Sequence, residues 1–146
     1  MKTIDRYFQK FTGGLDDGAV HDLAKAWIYD LNNWPPDRDS ADKDDDNVGT
    51  EVVAMNLIAP TDTQWRFILK VLELSNSDKV LCHLAAGPME HLMGNHGPTY
   101  IDLVEDLAAT DGKFARMITG CWRHRMSDDV WARIQTIQTV TENPIK

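Results

Sequence analysis

Apolar residues recur at intervals of three and four along most of this chain, a spacing that draws one stripe along a helix and not along a strand. From Asp17 to Asn32 the stripe is Val20, Leu23, Ala24, Trp27, Ile28 and Leu31. Asn32-Asn33 and then Trp34-Pro35-Pro36 stop it, because two prolines cannot continue a helical hydrogen-bond ladder. A shorter helix over Ile4 to Phe11 precedes it, with Ile4, Tyr7, Phe8 and Phe11 on one side and Gly13-Gly14 as its end.

The rest of the chain follows the same punctuation. Val48 to Ile58 is too short and apolar for periodicity to separate helix from strand, but Glu51, Ala54, Met55 and Leu57 favour helix. Pro60 closes it. Thr61 and Gln64 match a capping box for a helix with Trp65, Ile68, Leu69 and Leu72 inward. Ser75-Asn76-Ser77 breaks the chain, and Ser77 caps a helix carrying Val80, Leu81, Leu84 and Ala85. Gly87-Pro88 ends that helix and opens another on Met89, Leu92 and Met93, which Gly94 and Gly97 end. Pro98 opens a helix on Tyr100, Ile101, Val104, Leu107 and Ala108; Asp111-Gly112 turns the chain into Phe114 to Trp122. Ser127-Asp128-Asp129 caps Val130 to Val140, and Thr141 to Lys146 is expected to fray.

The expected fold is all-α: eight or nine short helices in an irregular bundle or a short α-solenoid of stacked helical hairpins. No fixed-period repeat runs through it. Its 146 residues suit one helical domain over 1–146, with an acidic loop at about 35–47. That loop, DRDSADKDDDN from Asp37 to Asn47, holds six aspartates and no large apolar residue.

Charge narrows the function classes. Fifteen basic against twenty-three acidic residues leave a formal charge of −8, which argues against direct binding of nucleic acid or of an anionic membrane. No apolar run approaches a membrane span of about 20 residues, and MKTIDRYFQK has no signal-peptide core. Two cysteines, Cys82 and Cys121, form no disulfide framework, so the expected compartment is the reducing cytoplasm.

The C-terminal half reads Leu84-Ala85-Ala86-Gly87-Pro88-Met89-Glu90, then Gly97, Ile101-Asp102 and Val104-Glu105, then Gly120-Cys121-Trp122-Arg123, Met126-Ser127-Asp128 and Val130-Trp131-Ala132-Arg133. It resembles a family of small bacterial proteins catalogued as a domain of unknown function, with an A-G-P-(L/M)-E turn and a W-R-x-x-M-S-D-x-V-W-x-R ending. The resemblance covers about Leu81 to Ile134, with Trp27 fitting more loosely. It implies an all-helical fold and carries no activity.

Side-chain constellations for chemistry are incomplete. Asp42, Asp44 and Asp46 occupy the first, third and fifth positions of an EF-hand-like loop, but Asn47 replaces the turn glycine and Val53 the bidentate glutamate. Cys82, His83, Cys121 and His124 lack zinc-ligand spacing; adjacent Cys82 and His83 point about 100° apart on a helix. His91 and His96, near Glu90 and Asp102, belong to no catalytic motif, and His96 reads as a helix-end residue. The expectation is therefore no metal, no cofactor and no catalytic residue.

Of five tryptophans, Trp27, Trp65, Trp122 and Trp131 fall on apolar stripes and read as core. Trp34 stands outside any stripe, at the mouth of the acidic loop. Arg123, His124, Arg125 and Arg133 form a basic cluster, expected to pair locally with Asp128 and Asp129.

Met1 to Glu73 carries a net charge of −6 and Leu74 to Lys146 a net of −2. An acidic face on a small helical domain suits fast, electrostatically steered capture of a basic protein. The leading expectation is a non-catalytic binding protein that neutralises a basic partner, in particular a bacterial immunity protein against a cognate toxin. Its contact residues would be Trp34, Asp37, Asp39, Asp42, Asp44, Asp45, Asp46 and Glu51. The alternatives are a small enzyme or ligand-binding domain with a pocket near Gly87-Pro88 and Trp122-Arg123, and a helical scaffold or adaptor.

Overall fold

The computed structural model describes residues 2–33 and 47–145. Among the described residues the fold is all-α, and no strand is present. The helices are α1 (Lys2–Phe11), α2 (Asp17–Asn32), α3 (Val48–Ile58), α4 (Thr61–Leu74), α5 (Asp78–Leu84), α6 (Glu90–Thr110), α7 (Gly112–Ile118) and α8 (Asp128–Val140), with a π-helical turn at Ala85–Met89 between α5 and α6. The chain separates into two compact units, residues 1–75 and 76–146, at the Ser75-Asn76 break.

In the N-terminal unit α2 packs on α4 and α3, and α1 packs on α3. The α2 stripe buries Val20, Leu23, Ala24, Trp27 and Leu31, and the Trp27 ring meets Phe67 of α4 at 5.6 Å between centroids. Asp16 caps α2 by accepting from the Ala19 N–H at 2.8 Å. On α1, Tyr7 and Phe11 turn inward while Phe8 stays exposed, so its apolar side is narrower than the spacing suggests.

The ambiguous segment Val48–Ile58 is a helix. Asn47 fixes its start: the side-chain oxygen accepts from the Thr50 N–H at 2.8 Å. The capping box at Thr61 and Gln64 does not form. The N-cap is Pro60, which has no N–H to give a glutamine oxygen, and Gln64 Nε2 donates back to the Ala59 carbonyl at 2.9 Å. The buried face of α4 is also rotated from the expected one. Phe67, Ile68, Val71 and Leu72 are inside, whereas Trp65 and Leu69 are half-buried.

In the C-terminal unit α6 packs against α8 and α7, and the π-helical turn touches α5, α6 and α7. Ser77, Asp111 and Ser127 cap α5, α7 and α8 through their side chains. Three punctuation marks act differently from the sequence expectation.

Gly87-Pro88 does not end a helix; it widens one. Pro88 cannot donate to the Leu84 carbonyl, and one π-helical turn absorbs that lost bond. Gly94 and Gly97 are likewise inside α6, which bends at His96 (φ −138°, ψ 24°), next to the missing N–H of Pro98. Both glycines are there for close approach. A Cβ on Gly94 would fall 2.3 Å from the His124 carbonyl oxygen, and one on Gly97 would fall 2.9 Å from Val130. Finally, the C-terminal tail is fastened, since the Ile145 N–H donates to Thr119 Oγ1 at 2.9 Å.

Candidate functional site

The C-terminal unit carries a cleft of about 480 Å³ between α5, the π-helical turn, the loop after α7, α8 and the tail. Its walls include Cys82, Cys121, Trp122, Trp131, Gln138 and Ile145. The volume falls in the range that small ligands occupy. Ala86 of the π-helical turn and Trp122 are on its walls, whereas Gly87, Pro88 and Arg123, also named for a pocket from the sequence, are not.

Each wall is fixed by a bond that the sequence does not advertise. α7 stops at Ile118, four residues before Trp122, so Trp122 belongs to the loop and is 77% exposed. Its backbone N–H donates to Glu90 Oε2 at 3.0 Å, tying the loop to the first residue of α6. The expected core role of Trp122 is thereby corrected; Trp27 is buried, and Trp65 and Trp131 are only half-buried. On α8, Gln138 Nε2 donates to the carbonyls of Ile118 at 3.0 Å and Cys121 at 2.8 Å. Both amide hydrogens are used, one of them at the open end of α7, and Oε1 remains as an acceptor held in a fixed direction.

The electrostatics follow from burial. Desolvation raises the Glu90 carboxyl above its ordinary range, against the pull of the Trp122 N–H and of His124. Burial pushes the Cys121 thiol far above the usual thiol range, with the Glu90 charge adding to it. Its Sγ lies 3.7 Å from the Ala85 carbonyl. A thiol held in that state is a packing group and a weak donor, not a nucleophile.

The basic cluster divides. Arg123 pairs locally, as expected, with Asp128 at 2.6 Å. Arg133 reaches instead to α6, where Nε meets Glu105 at 2.9 Å and Nη2 meets Asp102 at 2.6 Å. Arg125 sits at φ +62°, in the left-handed region that ordinary side chains seldom enter.

The N-terminal unit presents a different surface. Val53 and Leu57, one turn apart on α3, are 57% and 68% exposed, and Tyr29 near the end of α2 is 70% exposed. These helices flank the aspartate-rich segment in the sequence. Of the expected contact residues, Glu51 is on α3 and pairs with Lys10 of α1. Trp34, Asp37, Asp39, Asp42, Asp44, Asp45 and Asp46 lie outside the described residues. Spacing alone did not mark Val53 and Leu57, because their segment has no apolar period to violate.

Among the described residues no three His, Cys, Asp or Glu side chains converge as a metal would require. No helix of the described residues is long and apolar enough to cross a membrane. No curated protein and no solved structure matches the chain. One family profile does match, over residues 37–141, which spans both the aspartate-rich segment and the AGPME and WRxxMSD motifs. The chain belongs to that family, described as a family of unknown function, DUF6869.

Proposed function

We propose that this protein is a non-catalytic, acidic binding protein that captures and neutralises a basic partner protein in the cytoplasm, as a bacterial immunity protein neutralises a toxin. The observation that carries the reading is the exposed apolar pair Val53 and Leu57 on the helix that follows six aspartates in the sequence. Apolar anchors rimmed by like charges are the usual anatomy of a steered interface. Val53 and Leu57 would supply the desolvated contact; Trp34 and the aspartates Asp37, Asp39, Asp42, Asp44, Asp45 and Asp46 would supply a second anchor and the attractive field. Glu51, paired with Lys10, would hold the rim. The helices would stack as hairpins in a short α-solenoid, a shape that offers one extended face to a partner.

The test is association kinetics against the basic protein that co-purifies from the native host. Replacing Asp42, Asp44, Asp45 and Asp46 by Asn is expected to slow association at low salt, and added salt to slow the wild type towards the variant. Val53→Ser with Leu57→Ser is expected to speed dissociation. Unchanged rates in both variants would remove this reading.

A further inference from the structure

We propose that the cleft of the C-terminal unit is a binding site for an organic cation, a guanidinium or alkylammonium group on an apolar stem. Two features on its walls and one directly behind them converge on that chemistry. Two tryptophans line it, and indoles attract cations through their electron-rich faces. Gln138 Oε1 is the free end of an amide whose two hydrogens are committed to Ile118 and Cys121, so the cleft holds an acceptor that cannot turn into a donor. Behind the wall, the half-buried Glu90 carboxylate accepts from the backbone N–H of the lining residue Trp122 at 3.0 Å, and a desolvated carboxylate gains more from a nearby cation than a solvated one does.

The rest of the lining agrees. No lysine or arginine is among the described residues on the walls, so no basic side chain of the lining occupies the cleft. Ala86 and Gly120 keep the floor shallow, and Ile145 of the fastened tail gives an apolar edge for a stem. An anion would meet the Gln138 amide oxygen and be repelled by the Glu90 carboxylate behind Trp122. A neutral apolar molecule would leave the Gln138 oxygen without a donor, which costs affinity in a partly dried site. The cation is the occupant that satisfies every wall at once. This inference is independent of the acidic surface of the N-terminal unit.

The same cation could arrive as a free small molecule or as the side chain of a peptide. The experiment is calorimetric and tryptophan-fluorescence titration of the full chain with arginine amide, lysine amide, the neutral citrulline amide and a capped Gly-Gly-Arg-Gly peptide. Saturable binding of arginine or lysine amide, at least about tenfold tighter than citrulline amide, is expected; tenfold is the scale of one modest ionic contact. Trp122→Ala is expected to weaken it by about tenfold and Glu90→Gln severalfold. Trp122 is exposed enough for the variant to fold, and circular dichroism will check this. A peptide that binds as tightly as arginine amide would support a protein side chain as source, and a peptide that binds much more weakly would support a free ligand. Equal binding of citrulline amide, no saturation with either cation, or full affinity in Trp122→Ala would overturn the proposal.

Discussion

Gly97 of α6 lies so close to Val130 of α8 that a Cβ would fall 2.9 Å from Cγ1 and 3.0 Å from Cγ2. A few residues earlier, Gly94 faces the backbone carbonyl of His124 at a distance no Cβ tolerates. The two glycines let α6 meet α8 and the loop before it. Gly94→Ala is expected to destabilise the fold by about 1–3 kcal/mol, the usual cost of forcing atoms into a packed contact. Gly87→Ala meets nothing within 4 Å and is expected to be neutral or to stabilise by up to about 1 kcal/mol. Urea melts of the two variants check the contrast; equal losses would contradict it.

The tryptophans separate by burial. Trp27→Ala removes a ring packed on Phe67 and is expected to cost about 3–5 kcal/mol. Trp122→Ala, on an exposed loop, should stay within about 0.5 kcal/mol of wild type. Thermal denaturation of both proteins distinguishes them.

Glu90 and Glu105 respond to pH with opposite signs. Burial holds Glu90 above its ordinary range, so the folded state keeps a proton that the unfolded chain has already lost. That contribution is complete in acid and is lost as pH rises through the unfolded and then the folded value. Arg133 holds Glu105 below its ordinary range, so its contribution is present at neutral pH and is lost as pH falls through the folded value. Glu90→Gln is therefore expected to melt above wild type at pH 7, with the gain vanishing in acid. Glu105→Gln is expected to melt below wild type at pH 7, with the deficit vanishing as pH falls through the folded value. Melting temperature against pH for the three proteins reads both signs, and a parallel shift at every pH would contradict them.

Asn56 is buried on α3, and its Oδ1 has no partner among the described residues. Replacing an unpaired buried amide by an apolar group of similar size removes a desolvation cost, so Asn56→Leu is expected to be neutral or to stabilise by about 1 kcal/mol. Gln64 Oε1 is unpartnered among them too, but Gln64→Leu also strips the Ala59 carbonyl of the donor Nε2, so it is expected to destabilise by about 1 kcal/mol. Denaturant midpoints of the pair decide it.

Where local chemistry settles the outcome, the sequence was a sufficient guide. The span Asp17–Asn32, the caps at Ser77 and Ser127, and the helical state of Val48–Ile58 all follow from stripes, capping oxygens and propensity. The misread glycines and Trp122 share one cause. A glycine is missing a Cβ whether it ends a helix or lies under a segment thirty residues away, so Gly94 and Gly97 read as stops. The gap between α7 and α8 hid Trp122 in the same manner, because only the long-range bond to Glu90 places it beside a cleft. Of the residues named for a pocket, Gly87-Pro88 and Trp122-Arg123, Trp122 alone lines the cleft; Gln138 and Ile145 were not legible, since each acts through a partner distant in sequence. For the acidic surface, Glu51 is the one expected contact residue within the described chain.

The π-helical turn at Ala85–Met89 is, in effect, a one-residue insertion stored inside a continuous helix. Each residue of an α-helix turns the chain by about 100°. Excising a single residue there would let regular winding run from Asp78 to the bend at His96 with little loss of helical content. It would also swing Cys82 and Ala86 by about that angle relative to α6, and so away from the wall that α8, packed on α6, supplies through Trp131 and Gln138. The phase of α5 against α6 is thus set by residue number between Leu84 and Glu90 more than by which side chains stand there. Length polymorphism at this turn is a geometric switch that point substitutions cannot imitate.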